Sequence, residues 1–261
     1  KFDLASLPVD STASQHLQIE AMKLAFADVY RYVSERSTME VTTEQMLDDA
    51  YLASRARLID MRRAQDFQAG NPVKGGTIYL TAADQNGMMV SFIQSNYMGF
   101  GSGCVEPHYG ISLQNRGYGF SLDAASPNVV APGKRPFHTI IPAFLTKDGQ
   151  PVMSYGVMGG NMQPQGHMQT LVRMLDYRQG LQAACDAPRW RFNKGLNINV
   201  EAAMNAATVQ GLKDLGHEID VINDSYQDFG AGQFIWRAGN PAVEGYVAAS
   251  DPRRDGLAAG Y

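Results

Sequence analysis

The chain has 261 residues, of which 44% are hydrophobic, 18% charged and 10% aromatic. This length suits one large domain or two small ones with a true hydrophobic core, and the composition excludes a disordered chain. The 22 basic and 26 acidic side chains give a net charge of −4. The chain has neither the basic stripe of a nucleic-acid binder nor the run of roughly 18 apolar residues that a membrane span needs.

The first 68 residues are predicted to be helical. Apolar side chains recur at helical spacing from about Ser14 to Ser34, which predicts a long helix. Thr42 and Gln45 form a capping-box pattern, which predicts the start of a second helix. That helix is expected to bury five side chains: Leu47, Tyr51, Leu52, Leu58 and Ile59. The polar segment 65–76 contains glycine and proline and is predicted to be an exposed linker.

From Thr77 onward the pattern changes to strands and turns. Turn sequences predict two hairpins, which join residues 77–83 to 87–95 and residues 139–146 to 151–156. Helices are predicted at 165–177, 180–186 and 201–215, and further strands at 217–222, 232–237 and 245–249. Gly216 is expected to cap the last helix. Hairpins separated by helices favour antiparallel sheets covered by helices over a parallel, doubly wound sheet.

The best candidate for chemistry is the junction Gly75-Gly76-Thr77, where a flexible segment ends and a strand begins. An ordinary loop before a strand is the simpler interpretation of these residues alone. The functional alternative is self-cleavage, because glycine lets the backbone strain while the Thr77 hydroxyl attacks the Gly76 carbonyl. Cleavage would free the Thr77 α-amine to act as the base for its own hydroxyl.

A glycine pair and a basic loop are candidates for substrate contacts. Gly159 and Gly160 follow a predicted strand and precede a helix, so their N–H groups suit an oxyanion hole, although a plain turn fits equally well. The loop 132–139 ends in His138 and Thr139, which could donate hydrogen bonds to an anionic substrate. A solvated loop is the alternative there.

Another glycine-rich loop, Phe100–Gly103, has Ser95 and Tyr97 just upstream on one strand edge. Other classes of site have less support. The five histidines lack metal-ligand spacing, and neither a dinucleotide fingerprint nor a Gly-x-Ser-x-Gly elbow is present. We therefore expect neither a metal nor an organic cofactor. The two cysteines, Cys104 and Cys185, are too few for a disulfide framework.

Together these motifs resemble the γ-glutamyltranspeptidase family, near its cephalosporin-acylase-like branch. The shared motifs, in chain order, are Thr77-x-Tyr79, Asp84-x-x-Gly87, Phe100–Gly103, Pro132–Pro136, Gly159–Gly160, Ala187–Arg189, Ser250–Arg253 and Ala259–Tyr261. Residues 77–261 resemble the family's complete small subunit, and residues 1–76, with Glu20–Asp28, resemble the end of its large subunit. Because the sequence begins at Lys1 without a signal-peptide pattern, we expect a processed product or a fragment.

The resemblance implies an α+β fold, namely the four-layer αββα sandwich of N-terminal-nucleophile hydrolases, with stacked antiparallel sheets. It implies two pieces, 1–76 and 77–261, produced by an autocatalytic cut between Gly76 and Thr77. Thr77 would be the nucleophile, and Ser95 a hydroxyl that hydrogen-bonds it. Gly159 and Gly160 would form the oxyanion hole.

The resemblance also implies substrate contacts and partners. By this resemblance, His138 and Thr139 occupy the position of a serine pair that holds the substrate's α-carboxylate. Tyr97 and Arg116 are further expected contacts of a small-molecule amide. The expected partners are the rest of the large subunit and the second processed piece, in a heterodimer or a higher oligomer, and neither nucleic acid nor a membrane.

Residues 115–119 depart from the family pattern. Gly119 replaces the aspartate that pairs with the γ-glutamyl amine, and Arg116 replaces a glutamine. These changes favour an acyl group that ends in a carboxylate and lacks an α-amine, such as glutaryl. Two alternatives stay open: a conventional glutathione γ-glutamyltransferase, and a catalytically silent binding protein that keeps the fold.

Overall fold

The computed structural model describes residues 1–67 and 76–260. Most of the predicted linker 65–76 therefore lies outside the described residues, as does Tyr261. Within the described ranges, no helix combines the length and the apolarity of a membrane span.

Two compact units are each assembled from three stretches of chain. Among the described residues, unit 1 consists of 1–67, 115–138 and 190–222, and unit 2 of 76–114, 139–189 and 223–260. These units differ from the predicted pieces 1–76 and 77–261 because they are defined by packing rather than by a cut in the chain. The predicted pieces stay a prediction.

The described residues form α-helices and β-strands in both units. The helices are α1 (Thr12–Tyr32), α2 (Thr43–Met46), α3 (Asp49–Ala56), α4 (Met162–Leu175), α5 (Leu181–Asp186), α6 (Ala206–Asp214) and α7 (Ser225–Asp228). The strands are β1 (Gly76–Ala83), β2 (Met89–Tyr97), β3 (Val105–Glu106), β4 (Ile111–Ser112), β5 (Ala143–Lys147), β6 (Gln150–Met158), β7 (Trp190–Lys194), β8 (Asn197–Glu201), β9 (Glu218–Ile222), β10 (Ala231–Arg237) and β11 (Tyr246–Ser250). Short 3₁₀ turns lie at Leu4–Ser6, Arg36–Thr38 and Arg116–Gly119.

Unit 1 is organised around α1, the long helix that the sequence predicts. Ser11 caps its first turn, since its side chain accepts a hydrogen bond from the Ser14 N–H. The helix packs against α6 and β7. Strands β7 and β8 are antiparallel, whereas β8 and β9 are parallel and are joined through α6. This parallel pair departs from the antiparallel arrangement that the sequence favours, and β7 and β8 themselves were not predicted.

The second predicted helix is wrong in its extent and in its burial. Thr42 and Gln45 do form the capping box, but α2 has only four residues. Asp48 then caps a new helix, α3, by accepting from the Tyr51 N–H. Because α2 and α3 are separate helices, the apolar side chains do not share one buried face. Leu47 is 67% exposed and Leu58 is 46% exposed.

Unit 2 contains two stacked sheets and a helical layer. β1 and β2 form one antiparallel hairpin, and β5, β6, β10 and β11 form an antiparallel sheet in the order β11-β10-β6-β5. Both predicted hairpins are therefore confirmed. The hairpin packs on β6 and β10, while α4 and α5 pack on the four-stranded sheet.

A tyrosine and a glycine set the spacing between the two sheets. Tyr79 is 5% exposed, and a Cβ on Gly156 would lie 2.7 Å from atoms of its ring. The aromatic ring therefore rests directly on the backbone of β6, which only glycine permits. On the same face, the hydroxyl groups of Thr81 and Ser154 are hydrogen-bonded to each other.

The core of unit 2 lies between the four-stranded sheet and the helices. It combines side chains of β6, α5, β10 and β11, of which Met153, Val157, Cys185 and Phe234 are almost completely buried. The stacked antiparallel sheets and the covering helices confirm the predicted α+β fold class. Unit 2 supplies both sheets and one helical layer of the αββα sandwich.

Candidate active site

Thr77 lies opposite a β-bulge of β2, near the start of β1. Gly76 pairs with Tyr97 and Ile78 pairs with Gln94, so the register shifts across Thr77. Bulges of this kind re-aim side chains and occur often beside active sites. Ser95 and Asn96 of β2 thus lie opposite Thr77, and the peptide bond between Gly76 and Thr77 is held at one end by a strand pair.

Ser95 contacts the Thr77 side chain directly. The Thr77 hydroxyl donates to Ser95 Oγ over 3.0 Å, and the same oxygen accepts from the Tyr97 N–H at 2.9 Å. Tyr97 has φ +76°, a left-handed conformation that side-chain-bearing residues seldom adopt. Its backbone is therefore held in a strained form beside Thr77, and the hydroxyl pair predicted from the sequence is within hydrogen-bonding distance.

The glycine pair lies between β6 and α4. Gly159 has φ +129° and Gly160 has φ +58°, and their carbonyl groups accept from the N–H groups of Met162 and Gln163. Since the C=O and N–H of a trans peptide point in opposite directions, the N–H groups of Gly160 and Asn161 point away from the first turn of α4. Such oriented N–H groups are what an oxyanion hole requires.

Thr139 has a contact that the sequence did not indicate. Its hydroxyl donates to the Gly160 carbonyl over 2.9 Å. The hydroxyl proton thus serves to hold the glycine turn, and its oxygen keeps acceptor capacity only. Contact between Thr139 and a substrate carboxylate stays a prediction.

A second glycine turn lies against the first. A Cβ on Gly159 would lie 3.0 Å from the Gly230 Cα, and a Cβ on Gly230, whose φ is +68°, would lie 2.1 Å from the Met158 carbonyl oxygen. The two backbones touch without side chains between them. Residues at both positions must therefore be glycine for this approach.

A buried ion network lies next to the Gly230 turn. Asp251 accepts from Arg189 at 2.8 Å and from the Gly232 N–H at 2.8 Å, while Arg189 donates to the Phe229 carbonyl at 3.0 Å. Burial alone would raise the pKa of Asp251, but the guanidinium groups of Arg189 and Arg253, with two backbone N–H groups, hold this pKa below its ordinary value. The carboxylate is thus kept ionised inside the protein.

One cavity of unit 2 contains several of these groups. It has a volume of about 830 Å³, and its walls include Thr77, Gly159 and Gly230. Tyr226 and Arg254 also line it, and the Arg254 guanidinium lies 3.5 Å from the centroid of the Tyr226 ring. The structure therefore brings together Thr77 and one residue of the predicted oxyanion hole at a space large enough for a small molecule.

Arg116 and His138 belong to unit 1. Burial, together with the positive charges of Arg116 and Arg135, lowers the pKa of His138. A neutral His138 can still donate one hydrogen bond. In the same unit, a Cβ on Gly119 would lie 2.8 Å from the Phe137 carbonyl oxygen, so residue 119 has no space for a carboxylate side chain without a backbone shift.

The described residues also contain a cluster that the sequence did not predict. Nitrogen or oxygen atoms of His16, Glu20 and His217 lie within 4.8 Å of one another in the interior of unit 1. Such a set resembles a metal site, but His16 and His217 share a 2.8 Å hydrogen bond and the Lys23 ammonium donates to Glu20 over 2.7 Å. Hydrogen bonds thus already occupy these atoms.

The sequence contained partial signals for the features it did not identify. Arg189 and Asp251 lie in motifs shared with the family, but the sequence predicts no role for either residue. Gly230 lies in none of these motifs. His16 and Glu20 are four residues apart on α1, the spacing of side chains that share a helix face, but His217 is distant in sequence and only the fold brings it near.

The chain is similar to known proteins over nearly all of its length. The family model described as gamma-glutamyltranspeptidase matches residues 1–261. The oxamate amidohydrolase proenzyme of Klebsiella pneumoniae is 36% identical over 97% of this chain and 48% of its own length. The glutathione hydrolase-like YwrD proenzyme of Bacillus subtilis is 35% identical over 99% of this chain and 49% of its own.

Among solved structures, the cephalosporin acylase from Bacillus halodurans is 48% identical and superimposes with a TM-score of 0.89, covering 97% of this chain and 46% of that one. The chain spans about half the length of the curated relatives it matches. On the match to the family model and on these identities, the chain belongs to the gamma-glutamyltranspeptidase family.

Proposed function

We propose that this chain carries the nucleophile of an N-terminal-threonine amidohydrolase that matures by cutting itself before Thr77. The observation that carries the proposal is the position of Thr77: it follows Gly76 directly, lies opposite a bulge of β2, and donates to Ser95 at the cavity that Gly159 lines. The names of the relatives, which are proenzymes of amide hydrolases, support the same chemistry.

Maturation would proceed by an N-to-O acyl shift. The Thr77 hydroxyl oxygen attacks the Gly76 carbonyl carbon and the C–N bond breaks. The proton of the hydroxyl passes to the nitrogen, which becomes the Thr77 α-amine. Water then hydrolyses the resulting ester, which releases the Gly76 carboxylate and regenerates the hydroxyl.

Turnover would use the same hydroxyl with the freed amine as base. The α-amine takes the hydroxyl proton while the oxygen attacks the substrate amide, and the oxyanion is held by N–H groups of the glycine turn. The amine product leaves with that proton, and water hydrolyses the acyl-enzyme. A single residue thus supplies both nucleophile and base, as N-terminal-threonine catalysts do.

The substrate we propose is an amide whose acyl group ends in a carboxylate and carries no α-amine. The backbone of Phe137 occupies the space that a carboxylate at residue 119 would need, so an ammonium would lack its partner there. Oxamate, which appears in one relative's name, is likewise an amide with a carboxylate and no ammonium. A conventional glutathione γ-glutamyl hydrolase is the second candidate, because another relative is named glutathione hydrolase-like.

The rest of the large subunit is the partner we propose, in a complex with the two processed pieces. The outward face of the β1–β2 hairpin supports this proposal, because it is apolar and exposed: Ile78 is 63%, Leu80 49% and Phe92 51% exposed. An αββα sandwich needs a helical layer on such a face. A polypeptide corresponding to the other half of the relatives is the expected source.

Intact-mass measurement of the full-length protein tests the maturation step. Wild type is expected to yield a new N-terminus at Thr77, Thr77→Ser to cut more slowly, and Thr77→Ala to stay whole and inactive. A cut at the same bond in Thr77→Ala would refute self-cleavage. A wild type that never cuts and hydrolyses no amide would instead support the silent binding protein.

Steady-state kinetics with glutaryl and γ-glutamyl anilides tests the acyl group. We expect the glutaryl substrate to have the higher kcat/KM. Arg116→Gln is the variant of choice, since it removes the cation without adding bulk, whereas Gly119→Asp would collide with the Phe137 carbonyl. A preference for γ-glutamyl in wild type would favour the second candidate.

A further inference from the structure

The interior of unit 1 contains a chain of hydrogen bonds that no part of the proposed chemistry uses. Four of its side chains, His16, Glu20, Lys23 and His217, are at most 3% exposed. Burying a lysine and a glutamate is costly unless every donor and acceptor is satisfied. These four side chains therefore need hydrogen-bond partners for all their polar atoms.

The partners determine where each proton lies. His16 Nε2 is 3.0 Å from the Asp60 carbonyl oxygen, which can only accept, so Nε2 carries the hydrogen. Lys23 Nζ is 3.3 Å from His217 Nδ1 and can only donate, so this nitrogen is bare. His217 Nε2 then donates to His16 Nδ1 over 2.8 Å. Both rings are satisfied as neutral imidazoles.

The lysine completes the network with its three N–H donors. They point to Glu20 Oε1 at 2.7 Å, to the Gln65 carbonyl at 3.0 Å and to His217. The second oxygen of Glu20 accepts from the Gln65 N–H at 3.2 Å. Burial lowers the pKa of Lys23, and Glu20 and Asp66 oppose that effect.

Three of these contacts reach one short segment, residues 60–66, and all three are made to its backbone: the carbonyl of Asp60, and the N–H and carbonyl of Gln65. Ala64 adds another backbone bond, from its N–H to the Leu215 carbonyl at 2.6 Å. The segment is thus attached to α1 and to the residues around His217 independently of its own side chains.

We propose that this network is a clamp that fixes residues 60–66, and that Lys23, Glu20, His16 and His217 are positioning residues for self-cleavage. Ten residues, 67–76, follow the segment before Thr77, and a stretch of that length spans at most about 35 Å. Fixing residue 66 therefore anchors the chain on the N-terminal side of the cut, as the pairing of Gly76 with Tyr97 anchors it at the cut itself. The maturation role rests on the proposed function, whereas the clamp itself does not.

The test uses the full-length protein and the variant Lys23→Met, which keeps the length of the side chain and removes all three donors. Hydrogen exchange of peptides covering 60–67 is expected to speed up about tenfold or more. The rate of the cut before Thr77 is expected to fall about tenfold, as misplacement of a reacting group slows an intramolecular step. Turnover per cut molecule is expected to stay within about twofold, because the hydrogen bonds found for the network among the described residues involve neither Thr77 nor the glycine turn.

Two further variants keep the test decisive. Arg31→Met is the matched control, since it removes one positive charge from the same helix at an exposed position, where Arg31 contacts Glu40 and the Tyr32 ring; it should change neither rate. If Lys23→Met does not fold, Glu20→Gln/Lys23→Met removes both buried charges and still lacks the donor to the Gln65 carbonyl.

Unchanged exchange at 60–67 in a folded variant would overturn the clamp. Faster exchange with an unchanged cleavage rate would overturn the positioning role alone. A wild type that never cuts would refute the proposed function, and the exchange comparison would still decide on the clamp. One equivalent of zinc in the native mass of the purified protein would refute the assignment of ring protons to His16 and His217.

Discussion

Gly230→Ala tests whether the second glycine turn determines the geometry of the first. A Cβ there would lie 2.1 Å from the Met158 carbonyl oxygen, and real Cβ contacts start at 3.0 Å, so the two backbones must separate by 3.0 − 2.1 = 0.9 Å. Misplacing a catalytic group by about 1 Å can cost about 10² in rate. We therefore expect kcat to fall about a hundredfold, with KM changed much less.

The left-handed φ of residue 230 adds a cost in stability of about 1–2 kcal/mol. Gly245→Ala is the matched control, because Gly245 has φ +69° against +68° for Gly230 and has no atoms within 4 Å of the added Cβ. The assay is steady-state hydrolysis of a glutaryl anilide by cut, folded protein. If Gly230→Ala has the same kcat as Gly245→Ala, the contact between residue 230 and the Met158 carbonyl does not determine the geometry of Gly159 and Gly160.

Three other substitutions or conditions give measurable outcomes. Gly156→Val should lower the free energy of unfolding by about 1–3 kcal/mol in urea titrations, since the new side chain meets the Tyr79 ring; an unchanged midpoint would contradict the ring-on-backbone contact. Asp251→Asn leaves two buried guanidinium groups without a full charge partner and should cost about 3–5 kcal/mol by the same measurement. Burial lowers the pKa of His167 to about 4 and that of His217 to about 3. The unfolded chain therefore binds protons first as the pH falls below about 6.5, and the free energy of unfolding should drop by up to about 1.4 kcal/mol per pH unit for each histidine down to about pH 4; a flat profile would refute this assignment.

The parts of the fold that local chemistry dictates were predictable from the sequence. The capping box at Thr42, the turn with Asp148 at φ +52° and Gly149 at φ +75°, and the C-cap at Gly216 all appear as their residues indicate. Each depends on a few neighbouring residues. The local sequence around each cap or turn therefore suffices to predict it.

The parts that the sequence did not give depend on distant residues. The chain runs from β8 through α6 to β9, which pairs with β8 in parallel. The sequence predicts a helix from Glu201, but Glu201 is the last residue of β8, because the helix begins only after its N-cap, Asn205. At the candidate site, Thr77 and Ser95 were identified by the family pattern. The role of Thr139 as a donor to Gly160 depends on two loops meeting, which no local pattern encodes.

The Asp251 network has a consequence for the order in which the site forms during synthesis. Thr77 and Ser95 are translated before Arg189 and Asp251, and these two later residues hold the turn that faces Gly159. A nascent chain that stops before residue 251 has Thr77 but not the support behind the glycine pair. The proposed cut before Thr77 is thereby disfavoured until residue 251 has been translated.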